Sequence, residues 1–320
     1  MEPKHIESLL NAEKIGLFDS GLGGLSVLKS FIHNQAALST KEFIYIGDTK
    51  RCPYGDRSRG EIKEFVGQLT DWLVKEGAEA IVMACNTSAA LLGPGLERDC
   101  PVKVFNLLMP TAQYIKKAGI TNVGVIATRS TANSRAFSRA VDSLGTGTRV
   151  TELGCPDLVP LVESGLADHA RAKAALKPYA ERLLEEGAEA IVFGCTHYPF
   201  LRNSLIANLE QLTSRKIELI DPARVLMRTV RDASPKTTAT KEAKLNIATT
   251  GNAREFAEKA SLLLGIDSDR IKVRTITLGE LELAKPIQLQ KPSAVEQMER
   301  RLKSLANSVT GDTISPAPIP

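Results

Sequence analysis

The heptapeptide EGAEAIV at 76–82 returns unchanged at 186–192, an offset of 110 residues. Each copy closes a helix-length stretch, 58–76 in one case and 167–186 in the other, and opens an apolar run. Gly77 and Gly187 suit the left-handed residue that ends a helix, and the β-branched run after each suits a strand. Three residues past each copy stands a cysteine, Cys85 in the first and Cys195 in the second. The same heptapeptide, in the same surroundings and with the same cysteine beyond it, predicts two related half-molecules. Each half then carries a thiol at a strand end.

The rest of the chain extends that pattern. Short, nearly continuous apolar runs at 15–18, 43–46, 80–84, 102–106, 123–127, 149–153, 190–194, 217–220, 245–248 and 271–275 read as strands covered on both faces. Helical stretches separate several of them, including 58–76, 167–186 and 253–264. Strand and helix in alternation predict an α/β fold, with mainly parallel sheets and crossover helices. After Leu278 the character changes. Ser293 to Glu296 fits a capping box, Val295, Met298, Leu302 and Leu305 make one apolar stripe, and 307–320 reads as disordered.

Composition excludes several classes. The 320 residues carry 41 Lys and Arg against 37 Asp and Glu, a net +4 too weak to argue for nucleic acid. No window is apolar enough to span a bilayer. The first 14 residues hold no signal-peptide core, so the expected location is cytoplasmic. The five cysteines, Cys52, Cys85, Cys100, Cys155 and Cys195, are an odd set without a CxxC pair, which argues against a disulfide framework. No zinc-type set is evident either. Cys195 and His197 offer two ligands, and His5, His33 and His169 have no pairing pattern.

The chemistry gathers at strand ends, where ligands of open α/β sheets bind. Cys85-Asn86-Thr87 and Cys195-Thr196-His197 each follow a strand, where a helix should begin. A helix N-terminus offers free N–H groups and positive potential, which predicts an acidified thiol. The alternative is two buried cysteines that merely end buried strands. IGLFDSGLGGL (15–25) reads as strand, glycine turn and helix start. Its GxGG spacing is not the dinucleotide fingerprint. Asp19 and Ser20 suit a small zwitterion, or else Asp19 simply caps a helix. Tyr54, with Gly55, sits in a turn as an exposed aromatic that closes over a ligand or stabilises the turn. Glu163 is an acid or base, or an ordinary exposed helix glutamate. Cys52, Cys100 and Cys155 flank prolines and read as non-catalytic. A substrate between two equivalent thiols can lose a proton to one face and gain one from the other. That is two-base inversion of a stereocentre, which needs no electron-sink cofactor.

FDSGLGGLSVL (18–28), YIGDTKRCPYGDRS (45–58), ACNTSAA (84–90), CPDLVPLVESG (155–165) and GCTHYPFL (194–201) together resemble the cofactor-independent glutamate racemases. The resemblance runs from about residue 14 to 278. It implies that Cys85 acts on D-glutamate, assisted by Asp19, and Cys195 on L-glutamate, assisted by His197 with Glu163 nearby. It implies a substrate held by Asp19, Ser20, Tyr54, Gly55, Asn86, Thr87, Thr196 and His197, with no cofactor and no metal. It further implies a homodimer that supplies D-glutamate for peptidoglycan. Two pseudo-symmetric α/β domains would enclose the cleft, 14–108 with 216–278 in one and 109–215 in the other, leaving 279–320 as an extension. The chain departs from the family's usual pattern at 106–110, at 128–133 and at Phe137. Three other readings stay open: a racemase of aspartate or another acidic amino acid, a non-catalytic module binding acidic metabolites, and a Cys–His hydrolase.

Overall fold

The structure, a computed structural model, describes residues 3–33, 41–234, 243–267 and 270–282. The stripe expected at 295–305 and the end at 307–320 lie outside the described residues. All ten expected strand segments form strands: β1 Lys14–Asp19, β2 Glu42–Gly47, β3 Ala80–Met83, β4 Lys103–Phe105, β5 Asn122–Ala127, β6 Arg149–Gly154, β7 Ala190–Gly194, β8 Glu218–Ile220, β9 Lys244–Thr249 and β10 Val273–Thr275. They make one six-stranded sheet in the order β10-β9-β2-β1-β3-β4 and one four-stranded sheet in the order β6-β5-β7-β8. Every strand pairing among the described residues is parallel. This is an α/β fold; β1, β2, β3, β5 and β7 are buried nearly throughout, as parallel sheets covered on both faces require, while the edge strands β6 and β10 are partly exposed.

The second sheet reproduces four consecutive strands of the first, ending at the β4 edge. β2-β1-β3-β4 corresponds to β6-β5-β7-β8, and Ala80 and Ala190 of the repeated peptide pair with Ile15 and Val123. The chain completes the second sheet before returning to add β9 and β10 to the first. The return, placed at 216 from the sequence, comes after Ile220, because β8 still pairs with β7.

The local reason for the repeat is visible in its hydrogen bonds. Helix α3 (Arg59–Lys75, the third after Pro3–Asn11 and Leu25–His33) ends as Gly77 turns left-handed, φ +88°. Gly77 then donates to Val74 and Ala78 to Leu73. In the second half the equivalent helix, Ala170–Glu185, ends at Gly187, φ +81°, with Gly187 donating to Leu184 and Ala188 to Leu183. These are the paired bonds of a Schellman cap. The second glutamate of the peptide also has a task. Glu79 accepts the Glu13 N–H at 2.8 Å and Glu189 the Thr121 N–H at 3.2 Å, each just ahead of the half's first strand. Three further helices matter below. They are α4 (Asn86–Asp99), the helix Leu158–Glu163 at the cleft and, after the return at Ile220, the helix Pro222–Ala233 that leads back to the first sheet. No helix among the described residues is long and apolar enough to cross a membrane.

Candidate active site

Cys85 caps the N-terminus of α4, two residues beyond β3, and Cys195 follows β7 directly. Both are buried, and both line one cavity between the halves. Ser20, Tyr54, Gly55, Asn86, Thr87, Thr196 and His197 line it too, so nine sequence-derived candidates meet at one place. Its volume is about 10 Å³, room for the centre of a single water. Pro53, Thr128 and Val159 complete the wall.

Asp19 and Glu163 stand one contact behind that wall. Asp19, the last residue of β1, is fully buried. Its carboxylate accepts from the Gly21 N–H at 2.9 Å and from the Thr196 hydroxyl at 3.0 Å. Glu163 ends the helix Leu158–Glu163 and takes the Leu22 N–H at 2.9 Å. The same oxygen meets His197 Nε2 at 2.6 Å, while His197 Nδ1 lies 3.7 Å from the Cys195 sulfur. Glu163 is therefore no exposed helix glutamate. The glycine turn packs directly against the Glu163 carboxylate. The glycines are needed for this closeness. A Cβ on Gly23 would lie 2.3 Å from His197 Nδ1, and one on Gly24 would lie 2.6 Å from Asp19 Cβ.

The electrostatics differ from the sequence expectation at Cys85. Burial, then the Asp19 charge, pushes its thiol up to about 12, against a smaller lowering effect of the nearby Ser88. Desolvation in the closed cleft outweighs the helix end that was expected to acidify it. His197 goes the other way. Burial opposes its charged form, yet hydrogen bonds to Cys195 and Glu163 hold the imidazole well above its ordinary value. Glu163 falls below the usual carboxylate range, since the His197 bond, its charge and the Leu22 N–H together overcome burial. The two partners agree on an ion pair.

Tyr54 is not the exposed aromatic expected from its turn; it is 1% exposed. Its hydroxyl donates to Asp48, which also pairs with Arg51 at 2.6 Å and accepts from Thr250 at 2.8 Å. Asp48 was missed in the sequence, although it follows the end of β2 as Asp19 ends β1. Hydrogen bonds also cross the cleft from half to half: Thr87 with Thr128 at 2.9 Å, Ser26 to the Thr196 carbonyl at 2.9 Å, and Ser130 to the Gly55 carbonyl. Asn86 carries a buried side-chain oxygen without a hydrogen-bond partner among the described residues. Cys155 is buried apart from the cavity, where its carbonyl accepts from the Tyr198 hydroxyl at 2.7 Å. Cys52, Glu163 and His197 bring one sulfur, one oxygen and one nitrogen within 4.8 Å of one another, donors that the linear sequence kept far apart.

The chain is similar to known proteins over most of its length. A family model described as Asp/Glu/Hydantoin racemase matches residues 15–230. Glutamate racemase of Desulforudis audaxviator is 37% identical over 218 residues, 68% of this chain and 77% of that one. The crystal structure of glutamate racemase from Thermus thermophilus, in complex with β-chloro-D-alanine, is similar at a TM-score of 0.68 and 33% identity, over 88% of this chain and 100% of that one. The crystal structure of the Francisella tularensis glutamate racemase in complex with D-glutamate gives a TM-score of 0.70 at 26% identity, over 83% of this chain and 98% of that one.

Proposed function

Given that the chain belongs to the Asp/Glu/Hydantoin racemase family, we propose that it interconverts L- and D-glutamate by proton transfer between two thiols. The observation that carries this reading is the single cavity lined by Cys85 from one half and Cys195 from the other, at equivalent strand ends.

Cys195 takes the α-proton of L-glutamate, and Cys85 delivers a proton to the opposite face, giving D-glutamate. The reverse direction exchanges their roles. The state of each thiol's surroundings supports this order. Burial and Asp19 keep Cys85 protonated at neutral pH, ready to donate. His197, held as a cation by Glu163, places positive charge beside the Cys195 sulfur and can return a proton to it. Asp19 plays the opposite part for Cys85: its negative charge holds the proton on that sulfur, and in the reverse direction its carboxylate is the group to take that proton. Between the thiols the α-carbon bears negative charge, which only a preorganised polar wall can stabilise. The N–H groups at the start of α4, with Thr87, Thr196 and Ser20, suit the carboxylates. The unpartnered Asn86 oxygen suits the ammonium. Tyr54 and Gly55 close the wall. A homodimer in the cytoplasm that feeds peptidoglycan synthesis completes the reading, and the solution mass tests the dimer.

The test is isotope exchange. The protein is incubated with L- or D-glutamate in deuterium oxide, without pyridoxal phosphate. Deuterium at the α-carbon of the opposite enantiomer is the expected result; none from either enantiomer overturns the proposal. Aspartate in the same assay decides between acidic substrates.

A further inference from the structure

We propose that Cys52, Glu163 and His197 form a binding site for one zinc-type divalent cation, which ties the two halves together and halts turnover. The binding claim stands on geometry alone; the loss of turnover rests on His197 acting for Cys195.

The three donors come from three separate segments. Cys52 lies in the turn after β2 in the first half. Glu163 ends its cleft helix, and His197 follows β7, both in the second half. Their donor atoms all lie within 4.8 Å of one another. One thiolate, one imidazole and one carboxylate form a set that zinc takes, leaving a fourth position for water. Donors on a tetrahedral zinc with bonds of about 2.0–2.3 Å stand about 3.3–3.8 Å apart. The Cys52 sulfur is 3.9 Å from Glu163 Oε1, and His197 Nε2 is 2.6 Å from the same oxygen. The sulfur therefore needs to approach by a few tenths of an ångström, and the nitrogen to withdraw by less than about 1 Å.

The surroundings already support such a site. Gly21 makes room for it, since a Cβ there would fall 2.4 Å from Glu163 Oε1 and 2.9 Å from the Cys52 sulfur. The Leu22 N–H holds the carboxylate at 2.9 Å, and the Cys195 sulfur faces the other ring nitrogen of His197 at 3.7 Å. Such outer contacts orient ligands and fix which nitrogen binds. On binding, the Cys52 thiol proton and the proton between His197 and Glu163 leave to solvent, and the cation takes their place. His197 can then no longer exchange a proton with Cys195, and Cys52 is joined to the opposite half.

The test uses the full chain, freed of metal by a chelator and titrated with cobalt alone. The expected result is a sulfur-to-cobalt charge-transfer band that saturates at one equivalent. It persists in Cys85→Ser and Cys195→Ser and disappears in Cys52→Ala. Zinc should inhibit the wild type, while Cys52→Ala keeps its metal-free activity and needs at least about tenfold more zinc for the same inhibition. A band that survives Cys52→Ala, a band lost in Cys195→Ser, or unchanged zinc sensitivity overturns the proposal. Should Cys52→Ala fold poorly, Glu163→Gln read by cobalt absorption decides instead: weakened binding supports the site, wild-type binding refutes it. A protein that does not racemise glutamate still shows or lacks the cobalt band, so the two readings fail separately.

Discussion

The two halves share a frame and differ at its mouth. β1 and β5 are both six residues long, yet β1 ends in Asp19 where β5 ends in Ala127. At the repeat offset of 110, Thr87 of the first half stands where His197 does in the second. One thiol therefore lies under the charge of a buried carboxylate and the other beside an imidazole braced by Glu163. The scaffold supplies position twice over. The surroundings of each sulfur differ, as the proposed handling of mirror-image faces of one carbon would require.

The largest effects should test whether both thiols are needed. Cys85→Ala and Cys195→Ala should each lower racemisation by about 10³-fold or more, followed by polarimetry, with the far-ultraviolet circular dichroism unchanged. Substantial activity in either would break the equivalence. Next come the unequal neighbours. His197→Asn and Asp19→Asn should each cost about 10²-fold. The primary deuterium isotope effect should then rise mainly with L-glutamate in the first and mainly with D-glutamate in the second. Equal rises in both directions would mean the neighbours are not assigned to separate thiols.

The Glu163–His197 ion pair inside the second half gives a stability signature. Glu163 is depressed from 4.5, so its contribution is full above that value and fades as pH falls through the folded pKa. His197 is raised from 6.5, so its contribution is full below that value and fades as pH rises through the folded pKa. Wild type should therefore exceed Glu163→Gln by roughly 1.5–3 kcal/mol between those two values. The gap should narrow on either side, as read by urea unfolding at several pH values. The smallest effects compare the caps. Gly77→Ala and Gly187→Ala should each destabilise by about 1–2 kcal/mol, because both positions are left-handed. Gly187→Ala should be slightly the worse, since its Cβ would meet Asn122 at 3.2 Å where that of Gly77 meets Lys14 at 3.6 Å. Matched melting curves check this.

The strands were legible because parallel sheets bury both faces and so leave unbroken apolar runs. The repeat announced the halves because a Schellman cap and a strand start demand particular residues. The wall of the cavity was legible where function sits within a few residues of a strand end, as in Asn86-Thr87 and Thr196-His197. What stayed hidden was long-range. Nothing near Leu22 says that its N–H meets Glu163, 141 residues away. Nor could the sequence weigh desolvation against a helix end at Cys85, since that balance depends on how tightly the opposite half covers it. Tyr54 looked exposed for the same reason. Its burial comes from Asp48 and Phe65 packing around it, not from its own turn.

The cavity that joins the two thiols has room for little more than one water molecule, and a dicarboxylic amino acid is many times larger. Under the proposed function, admission is a mechanical event. Among the described residues the chain passes between the sheets after Phe105 and after Ile220, so in that reading the halves would swing about those two crossings for substrate to enter or product to depart. Each proposed turnover would undo the Thr87–Thr128, Ser26–Thr196 and Glu163–Leu22 links and then remake them. The same links would shield the proposed carbanion from bulk solvent and slow passage. Weakening one of them should trade slower chemistry for faster passage.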